Sequence, residues 1–419
     1  MASTGAEVKG QMTESLAVTP PLIRRVNLGK VLAVLSAADG ALTGTDLISV
    51  TDLTRATVHA VCNDLIRLGW VRELESRRGS AGQETSSAMG RPSRWFEFNE
   101  RAGYVLGVDI GAHSSTLLLA DLRGATLAAE RVLVGPDESV AQQGLRVQQA
   151  ARRAARSSGV KIDDILVIAM GFAARVDRAG QVRSQSVVDQ ANYDARRAAL
   201  TELVGATVLA ENDANLAALG ERWRGVAQGV DDLAVLLAGE RLGAGLIESG
   251  RLLHGSQGGA GEMAYLDRVE GVGNADGIAL LARVWGAAAV VAAAPATSIA
   301  ELAGGVPGAV TAEMVFAAAG RGDRVARGIL DRLATRLARV IATLGTIVNP
   351  ELVVVAGAVS QSAGALLDGI NEQLPALTVT PPRVAASTLG ESVVSIGAVR
   401  LALNHVQDNA LDLDVARAG

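Results

Sequence analysis

Residues 104–121 read YVLGVDIGAHSSTLLLAD, and in this stretch two apolar, strand-like runs flank an Asp-Ile-Gly turn. Further strand-like runs follow and alternate with helical patterns, which is typical of an α/β fold. A long amphipathic helix is predicted for residues 329–348, because apolar positions recur there every three or four residues. The later strand-like runs are Ile165–Gly171, Asp232–Ala238 and Leu352–Gly357.

The turn between the first two runs carries Asp109 and Gly111. An Asp and a Gly at a hairpin tip let backbone amides approach phosphate groups, and the carboxylate can hold a hydrated metal ion. The two residues are therefore candidates for a phosphate loop.

The composition limits the class of protein. A chain of 419 residues is too long for one compact core. The single cysteine, Cys62, excludes an intramolecular disulfide and a multi-cysteine zinc site, and it agrees with a reducing cytoplasm. Residues 1–21 show no secretory signal, and the longest apolar stretch, 284–294, is too short to span a bilayer. We therefore expect a cytoplasmic protein with no membrane partner.

Upstream of the α/β body, residues 22–75 carry three helical patterns. The third begins at Thr54, a favourable N-cap residue, and Gly69 ends it, as glycine often does just past a helix. Two strands and the loop between them complete a predicted winged helix-turn-helix over residues 22–101. The first two helices are predicted for Leu22–Ala37 and Thr45–Val50, the turn for Thr51–Leu53, and the strands for Trp70–Glu73 and Arg94–Phe98.

The second helix of a helix-turn-helix enters the major groove of DNA. Arginine bonds guanine in two places and threonine contacts a thymine methyl or a phosphate, while loop arginines suit phosphate or minor-groove contacts. A small three-helix bundle that binds another protein is the alternative. The candidate DNA-contacting residues are Thr54, Arg55, Thr57 and His59 in the helix and Arg77, Arg78 and Arg91 in the loop.

Charge is unevenly distributed along the chain. The net charge of −5 disfavours nucleic-acid binding by the whole molecule. Residues 22–101, however, carry a slight excess of Lys and Arg, whereas residues 102–419 carry an excess of Asp and Glu. This distribution is compatible with DNA binding by the N-terminal region alone. Residues 1–21 are polar and end in Pro20–Pro21, which predicts a disordered tail.

The segment Glu211-Asn-Asp-Ala-Asn215 follows one strand-like run and opens a helix. Its amides and carboxylates suit a polyol, because Asp213 can accept a hydroxyl proton while Asn212 fixes the orientation of the ligand. An ordinary helix N-cap at Asp213 is the alternative. Both residues are candidates for ligand binding.

Glycines are dense between Gly239 and Glu262. Such density resembles a loop whose backbone lines a ligand, and hairpin turns alone do not explain it. Glu262 is the lone carboxylate of its Gly-Gly-Ala-Gly-Glu motif, so it is a candidate acceptor for sugar hydroxyls. A solvated surface glutamate is the alternative.

Together these segments resemble the ROK family (repressors, open reading frames and kinases), which has the actin-like ATPase fold. The resemblance implies a two-lobed, sugar-kinase-like body over residues 102–404 and leaves 405–419 as a C-terminal tail. A ROK body behind a helix-turn-helix implies a regulator, because ROK kinases usually lack that domain. The N-terminal matches to ROK repressors are Arg25, Asn27, Leu32, Leu47, Leu53-Thr54, Thr57-Val58, Leu65, Gly69 and Gly90-Arg-Pro92.

The chain departs from the ROK kinases at the nucleotide loops. The kinases carry Asp-Ile-Gly-Gly-Thr-Lys at the first loop, and here Ser114 replaces the lysine. Their second loop, Gly-Thr-Gly, reads Gly239, Glu240 and Arg241, which puts a carboxylate and a bulky side chain beside the phosphates. The usual Gly-Gly-Gly on the adenosine side keeps only Gly357. We therefore expect no ATP use, no enzymatic activity and no cofactor.

The family's zinc motif is also missing. Its Gly-His pair is Ala264–Tyr265 here, and its cysteine-rich loop is replaced by residues 270–277, which contain no cysteine or histidine. Zinc needs about four N or S ligands, so no metal is expected. The sugar side retains Asn212, Asp213 at the position of the family's catalytic base, and Glu262 at a sugar-hydroxyl contact. Tyr265 stands where the family has a sugar-contacting histidine.

The prediction for function is a DNA-binding transcriptional regulator of carbohydrate metabolism that senses a sugar or sugar phosphate. One recognition helix reads only a few base pairs, so we expect a homodimer or homotetramer on an inverted-repeat operator of double-stranded DNA. Two alternatives stay open at this point. One is an active ROK sugar kinase with an added DNA-binding domain, and the other is a protein-interaction scaffold that binds no ligand.

Overall fold

The computed structural model describes residues 20–74, 93–111, 113–135, 137–183, 187–203, 205, 207–292, 296–357, 364–413 and 415. The chain forms two compact units. One comprises Met1–Asn99 with Ala410–Gly419, and the other comprises Glu100–Asn409.

The first unit contains the three predicted helices and a small antiparallel sheet in the order β1-β3-β2. Its core is formed by apolar side chains from all three helices and the sheet, among them Leu35, Leu47, Leu65 and Phe96, each fully buried. The short strand β1 was not predicted. The elements are α1 Pro20–Ala37, β1 Leu42–Thr43, α2 Gly44–Thr51, α3 Arg55–Arg67, β2 Val71–Leu74 and β3 Trp95–Phe98.

Two details of α1 differ from the sequence analysis. The helix begins at Pro20, so Pro20 and Pro21 open a helix and do not end a tail. Proline is tolerated there because the first N–H groups of a helix have no intrahelical partner. The helical pattern of Leu22–Ala37 predicts Val26 on its buried face together with Val31 and Leu35, but Val26 is 60% exposed, because only the C-terminal half of α1 faces the core. Residues 1–19 of the predicted tail lie outside the described residues.

The second unit contains two five-stranded sheets. The first has the order β10-β7-β4-β5-β6. In it β10, β7 and β4 are parallel, whereas β4, β5 and β6 are antiparallel. A two-stranded hairpin of β8 and β9 stands apart from this sheet. These elements are β4 Tyr104–Ile110, β5 Ser114–Asp121, β6 Thr126–Leu133, α4 Val140–Ser157, β7 Ile165–Phe172, β8 Arg175–Val176, β9 Val182–Arg183, α5 Val187–Thr201, β10 Thr207–Asn212 and α6 Asp213–Arg224.

The second sheet has the order β13-β12-β11-β14-β15. Helices cover it and share a large apolar core with it, and the predicted amphipathic helix, residues 329–348, is all of α10 except its first five residues. The elements are β11 Leu233–Ala238, β12 Leu242–Glu248, β13 Arg251–Leu252, α7 Ile278–Ala292, α8 Ser298–Leu302, α9 Ala312–Gly320, α10 Arg324–Val348, β14 Leu352–Ala356, α11 Gly364–Leu377, β15 Arg383–Ala386 and α12 Val393–Asn409.

Helices α6 and α12 cross at two glycines. A Cβ on Gly397 would lie 1.8 Å from the Leu216 carbonyl oxygen, and one on Gly220 would lie 2.5 Å from that of Val393. Only glycine allows backbones to approach so closely. The crossing holds the helix that follows β10 against the last helix of the body. The predicted two-lobed α/β body is therefore confirmed, with one sheet and one core in each lobe.

The expected tail at 405–419 needs a correction. Residues 405–409 are the end of α12, and Ala410–Asp412 form a 3-10 turn in the first unit. The apolar face of α12 continues past residue 404, since Val406 is 3% exposed, and Asp412 forms an ion pair with Arg25. Among the described residues, no helix is both long and apolar enough to cross a membrane.

Candidate DNA-binding and ligand-binding sites

The recognition helix α3 begins as predicted. Thr54 is its N-cap, and its hydroxyl oxygen accepts a hydrogen bond from the Thr57 amide at 3.3 Å. The two threonine hydroxyls are 2.8 Å apart. Arg55 is exposed, and its side chain makes no hydrogen bond or ion pair with the described residues. The first turn of α3 therefore presents Arg55 to solvent on a capped, ordered helix end.

His59 has a different environment from the other candidates in α3. Its ring is half-buried and lies edge-on to Phe96, with 6.2 Å between ring centroids. A Cβ on Gly44 would come within 3.3 Å of the same ring. His59 thus packs α3 against α2 and β3, and any contact with DNA would come in addition to this packing role.

Arg94 is a residue that the sequence analysis assigned only to a strand. Its guanidinium donates two hydrogen bonds of 2.6 Å to the Glu73 carboxylate and one of 2.8 Å to the Asn63 side chain. The wing strands are thereby tied to the recognition helix, and Glu73 raises the pKa of Arg94. The predicted wing contacts Arg77, Arg78 and Arg91 lie outside the described residues.

In the body, the parallel strands β4, β7 and β10 bring the polar candidates of the first lobe to one edge. Asp109 is in register with Gly171, which is in register with Glu211. Asn212 is the N-cap of α6, and its side-chain oxygen accepts a hydrogen bond from the Asn215 amide at 3.1 Å. Asp213 is therefore the first residue of the helix and not its cap. Its side chain remains available to a ligand.

Asp109 and Asp213 form a pair of strongly perturbed carboxyls. Burial raises the pKa of Asp213 to about 7, and the nearby charge of Glu262 adds to the effect. Burial and the charge of Asp213 raise the pKa of Asp109 to about 7. Two carboxyls that titrate near neutrality at a strand edge are typical of functional sites. They can donate as well as accept a hydrogen bond there.

His254 contacts this edge, and the sequence analysis missed it. Its Nε2 lies 2.7 Å from Glu211 Oε2, and this hydrogen bond raises the pKa of the imidazole. The other Glu211 oxygen accepts from the Asn215 side chain at 2.9 Å and from the Asn212 amide at 2.7 Å. The signal was a polar residue directly before Gly255 in the glycine-dense region, but no spacing links it to Glu211.

Glu262 has a basic partner from another element. Arg175 Nε donates to Glu262 Oε2 at 3.0 Å, so the β8–β9 hairpin contacts the glycine-dense loop. Tyr265 is 58% exposed, and the Arg268 guanidinium lies 5.3 Å from its ring centroid. The structure thus brings Glu262 close to Asp213, whereas Tyr265 contacts a neighbouring arginine of its own loop.

The altered second nucleotide loop contains an ion pair. Glu240 accepts two hydrogen bonds, of 2.6 and 2.8 Å, from the guanidinium of Arg283 on α7, which lowers the pKa of the carboxyl. Arg241, the adjacent residue in the chain, is exposed and pairs through its backbone with Asp276. Adjacent side chains point in opposite directions along an extended segment. The side chain of Arg241 therefore points away from that of Glu240.

The other nucleotide elements adjoin this ion pair. His113 Nε2 lies 4.0 Å from Glu240 Oε1. The Gly111 amide donates to the Ser114 carbonyl at 3.1 Å, which closes the first turn. Gly357 has a φ of 118° and follows β14, which is paired with β11, so it lies at the same sheet edge as Gly239.

Residues 270–277, which replace the family's zinc loop, are held by arginines from α10. Arg336 is 6% exposed and donates to the carbonyl oxygens of Val272 at 2.7 Å, Asp276 at 2.5 Å and Asn274. Arg339 donates to the Glu270 carbonyl at 2.6 Å. The described residues contain no cluster of His, Cys, Asp and Glu side chains suited to a metal. A guanidinium thus occupies the centre of the loop, and the residues present do not fit zinc.

Comparison with known proteins agrees with this architecture. Residues 105–405 match the ROK family, and residues 26–75 match the IclR helix-turn-helix domain. The chain therefore belongs to the ROK family.

The curated relatives include repressors and glucokinases. The xylose repressor of Caldicellulosiruptor bescii is 24% identical over 403 residues, which cover 91% of this chain and 96% of the repressor. The DNA-binding transcriptional dual regulator NagC of Escherichia coli K12 is 23% identical over 83% of this chain and 84% of NagC. A glucokinase of Halalkalibacterium halodurans is 33% identical, but over 45% of this chain and 62% of the glucokinase. Repressors thus match both units, whereas this glucokinase matches part of the body.

Solved structures show the same division. A ROK family transcriptional regulator, described as a homologue of the E. coli MLC protein, superposes with a TM-score of 0.70 at 20% identity and covers 93% of this chain and 98% of its own. A ROK family glucokinase from Streptomyces griseus, in complex with glucose and AMPPNP, gives 0.60 at 26% identity and covers 72% of this chain and 100% of its own.

Proposed function

We propose that this protein is a DNA-binding transcriptional regulator of carbohydrate metabolism, whose kinase-like body senses a sugar or sugar derivative. The observation that carries the proposal is the contrast within that body. On the sugar side Glu262 lies close enough to Asp213 to influence its charge, while on the nucleotide side Glu240 is already bound to Arg283. Relatives that match both units are named as repressors or regulators.

We infer that the body does not transfer phosphate from ATP. Phosphoryl transfer depends on positioning the phosphates and neutralising their charge. Here Glu240 brings a negative charge that is already bound to Arg283, and Ser114 stands in place of the kinase lysine. Asp213 remains suited to act as a base, since its pKa is about 7, so the loss of activity arises on the nucleotide side.

The proposed DNA contacts are Arg55 and Thr57 in the exposed first turn of α3. Thr54 caps that turn, and His59 lies further along the same helix. Arg77, Arg78 and Arg91 are proposed as wing contacts to phosphates. The proposed partner is an inverted-repeat operator bound by a homodimer or homotetramer, with half-sites about one helical turn apart. Sugars and sugar phosphates are the proposed effectors at Asn212, Asp213, Glu262 and Tyr265.

The first test selects duplexes from a randomised library with the purified full chain. We expect enriched sequences to contain two half-sites. Arg55→Ala is expected to weaken binding to the selected duplex by about 1–3 kcal/mol, as for an arginine that reads a base. Arg67→Ala, at the other end of the same helix and 71% exposed, is the matched control. Equal losses in the two variants would remove Arg55 from base readout.

The second test supplies ATP, magnesium and a panel of hexoses and amino sugars, and measures product formation. We expect the wild-type rate to equal that of an Asp213→Asn control. Turnover well above the control would restore the sugar-kinase alternative. Thermal-shift measurements with the same sugars and their phosphates then identify the effector, and a complete lack of response would favour the scaffold alternative.

A further inference from the structure

The second unit contains a cavity of about 810 Å³ that is separate from the sugar and nucleotide sides. It lies between α12, α6, the edge strand β10 and the β12–β13 hairpin. Its volume is within the range of small-molecule sites. The charged part of its wall is rich in arginine, and the residues that matter below are Arg197, Arg222, Arg251, Arg400 and His405.

Arg400 is the central residue of this wall. Its side chain is half-buried on α12, and no carboxylate among the described residues lies within ion-pairing distance of it. Its guanidinium lies 5.8 Å from the centroid of Trp223. Burial and the like charge of Arg222 lower its pKa. A half-buried cation beside a second cation is unfavourable unless an anion joins them.

The neighbouring arginines are held in place by hydrogen bonds to the protein. Arg222 donates to Asp231 at 2.6 Å and to the Val230 carbonyl at 3.1 Å. Arg197 donates to the Val208 carbonyl at 3.4 Å. Arg251 is exposed at the rim. Arg222 is thus fixed by an acid beside the cavity, and Arg400 has no such counterion.

The acidic residues of the wall are committed elsewhere. Glu211 binds His254 and two donors of its own segment. Asp177 binds Arg183 and the amides of its turn. Asp408 lies eight residues beyond Arg400 on α12, about 12 Å along the helix axis. None of the three neutralises Arg400.

We propose that this cavity binds a small phosphorylated metabolite, with the phosphate between Arg400 and Arg222. A guanidinium fork matches two phosphate oxygens, which makes arginine well suited to such a ligand. Leu219, Leu252 and Leu401 provide apolar surface for the remainder of the molecule.

The cavity also adjoins the sugar side. Glu211 lines it, and the next two residues of the chain are Asn212 and Asp213. A ligand that contacts β10 here lies against the strand that positions the sugar-side carboxyls. The proposed site is therefore placed to modulate sugar binding, although its own ligand binding needs neither DNA nor phosphoryl transfer.

The test is isothermal titration of the full chain with inorganic pyrophosphate and glucose 6-phosphate, with glucose as the neutral comparison. We expect at least one phosphorylated probe to bind, and Arg400→Gln to weaken its binding at least tenfold. Arg251→Gln, at the rim, is expected to weaken it a few-fold. Arg324→Gln, an exposed arginine at the start of α10 and outside the cavity, is the matched control and is expected to have no effect.

Two further measurements separate this site from its alternatives. Asp213→Asn is expected to leave the affinity for pyrophosphate within twofold, because this probe has no sugar hydroxyls for Asp213 to bind, which distinguishes the cavity from the sugar side and from the proposed function. Arg400→Gln is expected to fold and to melt no lower than the wild type without ligand, since it removes an uncompensated charge.

Binding that is equal for Arg400→Gln and Arg324→Gln, or absent for both probes, would overturn the proposal. A change of oligomeric state in Arg400→Gln, with probe affinity unaltered, would overturn it by identifying the cavity as an interface between copies.

Discussion

The sugar side and the nucleotide side of the body differ in whether their carboxylates Asp213 and Glu240 are paired with a side chain of opposite charge. On the sugar side, the described residues offer Asp213 no cationic partner, and burial raises its pKa to about 7. On the nucleotide side, Glu240 is paired with Arg283, and its pKa is lowered. Buried polar groups without a partner cost stability, and proteins retain them where a bound ligand supplies the partner. This difference agrees with the proposal that the sugar side binds a ligand.

The largest effect on stability is expected from Arg336→Met, which removes the guanidinium at the centre of the loop next to the nucleotide side. Three backbone carbonyls lose their donor, and unsatisfied buried acceptors cost about 1–3 kcal/mol each, partly relieved by water. We expect a loss of about 3 kcal/mol in the free energy of unfolding, measured by urea denaturation. Arg339→Met, which removes one exposed bond, serves as control and should lose less than about 1 kcal/mol.

A smaller effect of opposite sign is expected from Asp213→Asn. The folded-state pKa of Asp213 is raised above its ordinary value, so its contribution to stability is present at low pH and is lost as pH rises through about 7. The amide mimics the protonated acid. We expect the variant to be about 1–2 kcal/mol more stable than the wild type at pH 8 and equal to it near pH 4.

Urea denaturation at a series of pH values measures this difference. Asp163→Asn, at an exposed carboxyl, controls for the general change in charge and should leave the pH dependence unaltered. If Asp213→Asn also leaves the dependence unaltered, the sugar side is already compensated and the contrast between the two sides disappears.

The His254→Gln variant tests the same comparison next to the sugar side, because it removes the partner of Glu211. Glu211 raises the pKa of His254, so the charged pair stabilises the fold below the unfolded-state pKa of about 6.5 and this contribution is lost as pH rises through the folded-state pKa. We expect a cost of about 1 kcal/mol at pH 6 that vanishes by pH 9.

NMR titration of the imidazole checks the cause directly, because the His254 resonance should titrate above pH 6.5. His113→Gln, at a histidine whose side chain is 76% exposed, is the control. A His254 resonance that titrates below the ordinary value would show that burial outweighs Glu211.

The smallest effect is expected from Glu240→Gln. The ion pair with Arg283 is about one-third exposed on each side, and such pairs contribute about 0–1 kcal/mol. We expect a stability loss within that range, similar to that of Glu130→Gln, which breaks the surface pair with Arg153. A cost above about 2 kcal/mol would mean that the nucleotide side depends on this pair far more than its exposure implies.

Local patterns determined much of the architecture before any tertiary contact was known. Thr54 caps α3 as predicted, and the wing strands lie within one residue of their expected bounds. These features depend on interactions between residues a few positions apart, such as caps, turns and helical periodicity. The strand β1 escaped notice because two residues carry no periodicity, and its pairing with β3 involves residues more than fifty positions away.

By itself the sequence determined that this is a ROK protein with a helix-turn-helix, and that its nucleotide loops and zinc ligands are changed. Only the tertiary structure decided what took their place. Glu240 pairs with Arg283 and not with Arg241, Arg336 holds the loop in which the family binds zinc, and Glu211 meets His254. Each of these contacts joins residues about 40 or more positions apart. Their distances depend on how sheets and helices pack, which no local pattern encodes.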